Sequence, residues 1–369
     1  MAKNVHWYLR HARGLRAHQR SAGAFAAFAD LEDFWFQHVE LLAHSPELTA
    51  RARRKLERVR ARSKGIRDFD ILCSPNSYVD SARWWLFWAL VEAEGIFARR
   101  FIPIWGNEER LTGELVAALA CSVDRAESLR VQRKRHVPGY LDILYGNTAS
   151  RGREGPTGAD IGLVLHSNIG GRDECRAFLF QAKKADQNGK SDISQVWRGL
   201  EQLDRLTRVR GLGYYLFYHP KNSVRATPPP TVRSADDIKT ERAASSKKTS
   251  VVEALDGSYS LSAFLSFSAV RPIGFSAAPG LTAQGLDVPS PGAAFDLFFG
   301  RELEDLTPRR ILVMALGDGD RPSYWHELTD HLSSLERAST IARSMHDIRQ
   351  SQKADQDRDV EPPIQIQIT

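Results

Sequence analysis

Thr157-Gly-Ala-Asp160-Ile-Gly-Leu-Val-Leu165 and, after a short interval, Phe178-Leu-Phe-Gln181-Ala-Lys183 carry the architecture of this chain. Residues 161–165 and 177–180 are short apolar runs bounded by polar residues, the pattern of buried strands. An acid opens the first run, and twenty-one residues later the second ends in Gln-Ala-Lys. Paired as a hairpin, the two strands place Asp160 at the same sheet end as Gln181 and Lys183. Strand side chains alternate between faces, so Gln181 and Lys183 share one face and Lys184 takes the other. Upstream, Asn107 suits a helix N-cap, and Glu108 and Glu109 stand in the first turn, where the helix dipole favours carboxylates. Leu111, Leu115, Ala118 and Leu119 supply that helix with an apolar face. A strand is expected over 140–145, a helix over 191–208 and a strand over 214–218. Helix, three strands, helix and strand within about 115 residues predict an α/β fold.

A carboxylate, a second oxygen ligand and a lysine converging on one spot suit divalent-metal chemistry. Magnesium takes oxygen ligands and retains several waters. A lysine beside it can orient a water or help deprotonate it, as metal-assisted phosphodiester hydrolysis requires. On Asp160 and Gln181-Ala-Lys183 the sequence resembles the PD-(D/E)xK, or restriction-endonuclease-like, nuclease superfamily. It is similar to the branch with glutamine in the usual acid position, as in Mrr-type restriction enzymes. The resemblance spans about residues 107–220. It implies a mixed central sheet flanked by helices, with Asp160, Gln181 and Lys183 as the catalytic set. Mg²⁺ (or Mn²⁺) is the implied cofactor, and the carbonyl of Ala182 is a further oxygen ligand. The family often carries a glutamate on the helix before the first strand, which favours Glu108, with Glu109 second. Its following helix tends to bear a glutamine, matched by Gln202. Because Gln181 is neutral, another acid must restore the lost charge: Glu108 is preferred, and Glu154 on the loop Gly152-Arg-Glu-Gly155 is the alternative. The implied activity is an endonuclease acting on DNA, double-stranded by preference, in a bacterial defence or restriction setting, leaving 5′-phosphate and 3′-hydroxyl ends. A homodimer and an activating partner subunit are compatible with it.

Outside this core, residues 1–104 read as a helical, basic N-terminal region, and 105–220 as the nuclease core. Residues 221–258, with Pro228-Pro-Pro230 and scattered serines, read as a loop or linker. Residues 259–345 read as an α/β extension of the core or a small separate domain, and 346–369 as a polar tail. Gly317-Asp-Gly-Asp320 reads as a turn after a strand over 311–316, since it lacks the spacing of a calcium loop.

Charge is unevenly spread. Residues 1–67 hold fourteen Lys/Arg against six Asp/Glu, while the whole chain carries a net +6. The excess therefore sits in the N-terminal fifth, which suggests a surface facing a polyanion. Arg51, Arg53, Arg54, Lys55, Arg58 and Arg62 are the candidate phosphate contacts there, with Lys184 beside the catalytic set. Such contacts position DNA without reading its sequence, and a merely solvated helix face is the plainer alternative. Trp84, Trp85 and Trp88 suit either base stacking or hydrophobic core.

Composition excludes other classes. At 42% hydrophobic and 26% charged, the 369-residue chain is neither disordered nor collagen-like. Three scattered cysteines exclude a disulfide framework and a CxxC zinc site. The longest strongly apolar run, 84–91, is far short of the roughly 20 residues of a membrane span. Without a recognisable signal peptide, the expectation is a cytoplasmic protein with no membrane partner. No GxSxG elbow, P-loop or HExxH motif is present. Two other readings remain: the same fold acting as a DNA-binding or assembly subunit without catalysis, and an interaction protein docking a partner through its helical N-terminus.

Overall fold

A computed structural model describes residues 48–60, 71–72, 74–131, 139–148, 159–197, 199–221, 228–244, 250–268, 284–300, 307–326, 328–330 and 332. The protein is mixed α/β, with a mixed central sheet flanked by helices. Helix α1 (Ala50–Arg60) precedes α2 (Ser81–Ile96), which runs into a π turn (Phe97–Phe101) and a 3₁₀ turn (Ile102–Ile104). Helix α3 (Glu108–Val131) leads into β1 (Tyr140–Asn147), β2 (Ile161–Ile169) and β3 (Arg172–Lys184). The short strands β4 (Lys190–Asp192), β5 (Val196–Trp197) and β6 (Leu200–Glu201) follow, then α4 (Gln202–Leu206) and β7 (Gly213–Tyr218). Next come β8 (Thr231–Ser234), α5 (Ala235–Ala244), β9 (Val251–Glu253), β10 (Tyr259–Ser260) and β11 (Leu286–Val288). Helix α6 (Pro291–Phe299) and β12 (Arg310–Gly317) close the order.

The main sheet has the order β1-β12-β2-β3-β7-β8-β10, with β11 beside the first part of β3. Strand β12 lies between β1 and β2, antiparallel to the first and parallel to the second. Strands β2 and β3 form the expected antiparallel hairpin across Gly170 and Gly171, both in the left-handed region (φ 61° and 73°). Strand β7 returns parallel to β3, as a βαβ crossover through α4 requires.

Alternation along the strands builds two cores. Phe178, Phe180, Leu312, Met314 and Leu316 face α2 and α3, whereas Ala177, Leu179, Ile311 and Val313 face α4, α5 and α6. Helix α2 is apolar nearly all round and buried, as such a helix must be. Trp84, Trp85 and Trp88 belong to this core, which removes them as stacking platforms.

Two segments differ from expectation, and a third takes one of its two alternatives. Residues 191–208 are not one helix: they form β4, a β5/β6 hairpin and the single turn of α4. The Asp192 carboxylate accepts the Ser194 N–H (2.9 Å), and Gly199 turns the hairpin at φ 78°. Local bonds of this kind compete with helix formation. The described part of residues 221–258 is not a linker, since β8 pairs with β7 and β10, and α5 packs Ala235 and Ile238 into the core. The prolines sit just before β8, where the Pro230 carbonyl still accepts the Leu261 N–H. Residues 259–345 join the main sheet through β10, β11 and β12, so their described part completes the core and is not a separate domain. Helices α2 and α3 likewise cover the same sheet, so residues 81–104 are continuous with it. No helix of the described residues is long and apolar enough to cross a membrane.

The α4–β7 turn depends on close backbone approach. A Cβ on Gly213 would stand 2.2 Å from the Leu206 carbonyl oxygen. Gly213→Ala is expected to destabilise the fold by roughly 1–3 kcal/mol or more, because backbone must shift to admit the methyl group. An unchanged denaturation midpoint in urea would contradict this.

Candidate active site

The hairpin brings Asp160 to Gln181 just beyond its last pair, Ile161–Phe180. The Asp160 N–H donates to the Phe180 carbonyl (2.8 Å), and its carbonyl accepts the Arg310 N–H (3.1 Å). Both flanking strands thus fix its backbone. Its Oδ2 accepts the Ala182 N–H (2.9 Å) and a hydrogen from Gln181 Nε2 (2.5 Å). Gln181 Nε2 also donates to the Ala182 carbonyl (3.2 Å). Gln181 Oε1 is buried with no hydrogen-bond partner among the described residues. Such an orphan oxygen calls for an explanation, and an ion is one.

Burial raises the Asp160 pKa. The Ala182 N–H bond and the charge of Arg309 oppose that rise, Glu108 adds to it, and Lys183 opposes it. Desolvation outweighs the neighbouring cations, so this carboxylate gains from a further positive charge close by.

Lys183 is buried, and its Nζ donates to Gln195 Oε1 (3.1 Å). The same oxygen accepts a hydrogen from Gln202 Nε2 (3.1 Å), and the Gln195 carbonyl accepts the Gln202 N–H (2.8 Å). Gln195 and Gln202 form the root of the β5/β6 hairpin and hold the lysine from one side. Gln202 Oε1, like Gln181 Oε1, is buried without a partner among the described residues.

Glu108 opens α3 behind Asn107, whose side chain caps the helix by accepting the Arg110 N–H (2.8 Å). Its Oε1 accepts the Lys184 N–H (3.1 Å), which ties the helix start to the end of β3. Glu109 is exposed and pairs with Arg309 at 3.5 Å. Lys184 lies over the Trp105 ring (4.7 Å). Trp105 has φ 33°, the one non-glycine residue with positive φ among those described.

The structure therefore gathers Asp160, Gln181, Lys183 and Gln202 on one face at the strand ends, with Glu108 beside them at the sheet edge. Glu154 and Arg62 lie outside the described residues. Arg51, Arg54, Lys55 and Arg58 are exposed and Arg53 half-buried on α1. Leu48, just before that helix, bridges to Tyr78. Asp80, two residues further on, feels the charge of Asp318 beyond the far end of β12, away from Asp160. The anchoring of α1 is thus at the other end of the sheet. Two contributors escaped the sequence. Gln195 stands in a stretch read as helix, although Gly199 between two glutamines seven apart is a hairpin signal. Arg309 arrives from the last described strand, and no local pattern marks it.

Among the described residues no group of three His, Cys, Asp or Glu side chains could hold a metal. The oxygen donors at this spot are mixed: the Asp160 carboxylate, the Gln181 amide, the Ala182 carbonyl and, at the edge, Glu108. No protein-family model, curated protein or solved structure matches the chain.

Proposed function

We propose that the protein is a metal-dependent endonuclease of restriction-endonuclease-like fold that hydrolyses DNA, with double-stranded DNA as first substrate and bacterial defence or restriction as its setting. One observation carries the reading: Asp160 and Gln181 in side-chain contact at the strand ends, with Lys183 two residues on and sharing their face. The order α3, β1, β2, β3, α4, β7 supports it, with β12 as an insertion between β1 and β2.

The residues present fit a hard cation. Gln181 Oε1 is a buried oxygen without a partner, and a raised Asp160 pKa marks a carboxylate short of positive charge. Asp160, the Ala182 carbonyl and, with its amide turned over so that Oε1 takes the place of Nε2, Gln181 would hold Mg²⁺ or Mn²⁺, with Glu108 as the added acid. When bound, the ion would stabilise charge on the scissile phosphate and lower the pKa of a water. Lys183 Nζ, steadied by Gln195, orients the attacking water and keeps a positive charge beside it. Gln202 holds Gln195 in place.

Plasmid nicking with Mg²⁺ or Mn²⁺, with EDTA, and with Asp160→Ala tests the reading. Metal-dependent cleavage lost in EDTA and in the variant is the expected result. Cleavage that survives Asp160→Ala places the chemistry elsewhere. DNA binding by the wild type without cleavage, and without Mn²⁺ affinity, makes this a binding module on the same fold.

A further inference from the structure

Strand β12 adds more than a filling strand. It pairs in parallel register with β2, Arg310 opposite Ile161, so Arg309 stands level with Asp160. Across the next ladder the Asp160 side chain meets Gln181, just beyond the last pair, Ile161–Phe180. Arg309 lies just outside β12, and its side chain turns toward α3, where it pairs with Glu109, yet it stands close enough for its charge to act on Asp160. The Arg309 carbonyl accepts the Thr148 N–H (2.9 Å) from the end of β1, and the Arg310 N–H binds the Asp160 carbonyl. The backbone that presents Arg309 is thus held on both sides.

The side chain itself is accessible, at 34% exposure, and its ion pair with Glu109 at 3.5 Å joins two partly exposed groups. Exposed pairs of this kind are worth little and yield to a stronger anion. Arginine grips phosphate through a planar fork that lysine lacks. With Lys183 on the β3 side of Asp160 and Arg309 on the β12 side, the carboxylate has a cation on each flank.

We propose that Arg309 is a substrate-binding residue that grips a DNA phosphate next to the scissile bond, across Asp160 from Lys183. The inference rests on the nuclease reading for its catalytic meaning, but phosphate binding can be measured without cleavage. Affinity for a short fluorescein-labelled DNA duplex is measured in EDTA across a salt series, for the full chain. Arg309→Ala should weaken binding about tenfold at low salt, and its log–log salt slope should be shallower by about 0.9, as one lost phosphate contact requires. Arg309→Lys keeps the charge and should keep the slope. Glu109→Gln breaks the ion pair and spares Arg309, so it too should keep the slope. If Glu109→Gln loses the slope as Arg309→Ala does, the residue serves the pair and not the phosphate, and the proposal falls. An Arg309→Ala slope equal to that of the wild type overturns it as well, as does a wild type with no salt-dependent affinity. If the wild type never cleaves, yet Arg309→Ala alone loses the slope, the nuclease reading fails and the phosphate contact stands. Circular dichroism of each variant confirms that it is folded before its slope is compared.

Discussion

Lys183→Ala is expected to lower the rate of metal-dependent plasmid cleavage by about 10²–10³-fold, the range associated with losing one preorganised electrostatic donor. Its Mn²⁺ affinity should change little, because the oxygen donors belong to Asp160, Gln181 and Ala182 and not to the lysine. The loss should therefore fall on turnover and leave metal half-saturation near the wild-type value. The hydrogen bond from Lys183 Nζ to Gln195 Oε1 adds a second tier. Gln195→Ala leaves the ammonium in place but unsteadied, and should cost roughly tenfold, the worth of one modest hydrogen bond to a charged group. Gln195→Glu, which restores an acceptor, should recover part of it. The check is single-turnover cleavage at saturating Mn²⁺. A Lys183→Ala enzyme as fast as the wild type would remove the lysine from the mechanism.

The second large effect concerns stability. Glu94, on α2, is fully buried, and its two oxygens accept the Ser262 N–H and the Ser262 hydroxyl, each at 2.8 Å. Burial pushes its carboxyl up to about 8 despite those bonds. Between an ordinary carboxylate pKa near 4.5 and about 8, the folded protein keeps a proton that the unfolded chain has released. Stability is therefore lost as pH rises through this window and levels off above it, by on the order of 5 kcal/mol. Glu94→Gln removes the titration and keeps the geometry, since its carboxamide accepts the Ser262 N–H and donates to the hydroxyl. Urea denaturation at pH 5 and pH 9 should show the variant gaining on the wild type at the higher pH. Parallel behaviour of the two proteins would mean that the carboxyl ionises without penalty. The contact matters for the fold because Ser262 begins the turn that carries Phe264 onto Phe178, Phe180 and Tyr214.

The hairpin of the site was legible because its information is local. Two apolar runs close in sequence, alternating every second residue, leave little freedom in which side chains share a sheet end. Asp160, Gln181 and Lys183 follow from that alone, and Lys184 falls on the other face by the same rule. The Asn107 cap and the first-turn position of Glu108 were local too. What pairs over a long distance was not legible. The run over 311–316 announces a strand but carries no sign that it enters between β1 and β2. Arg309 was hidden with it. Residues 191–208 contain enough Leu, Arg, Glu and Gln to pass for a helix. The decisive features were single side-chain bonds at Asp192 and a glycine at 199. Proline and serine density makes 221–258 resemble a linker, but Val232 and Ile238, each a single apolar residue among polar neighbours, are fully buried.

The central position of β12 also bears on how the protein comes into being. During synthesis β1, β2 and β3 leave the ribosome well before residue 310 is made, and β12 must find β2 across a separation of about 150 residues. Until it arrives, β1 and β2 present facing edges of unpaired N–H and C=O groups, a template for unwanted pairing. Closing such a gap late is slow, and the open intermediate is the species that chaperones and aggregation compete for. A nascent or prematurely terminated chain ending near residue 300 thus loses the middle of its sheet and not an edge.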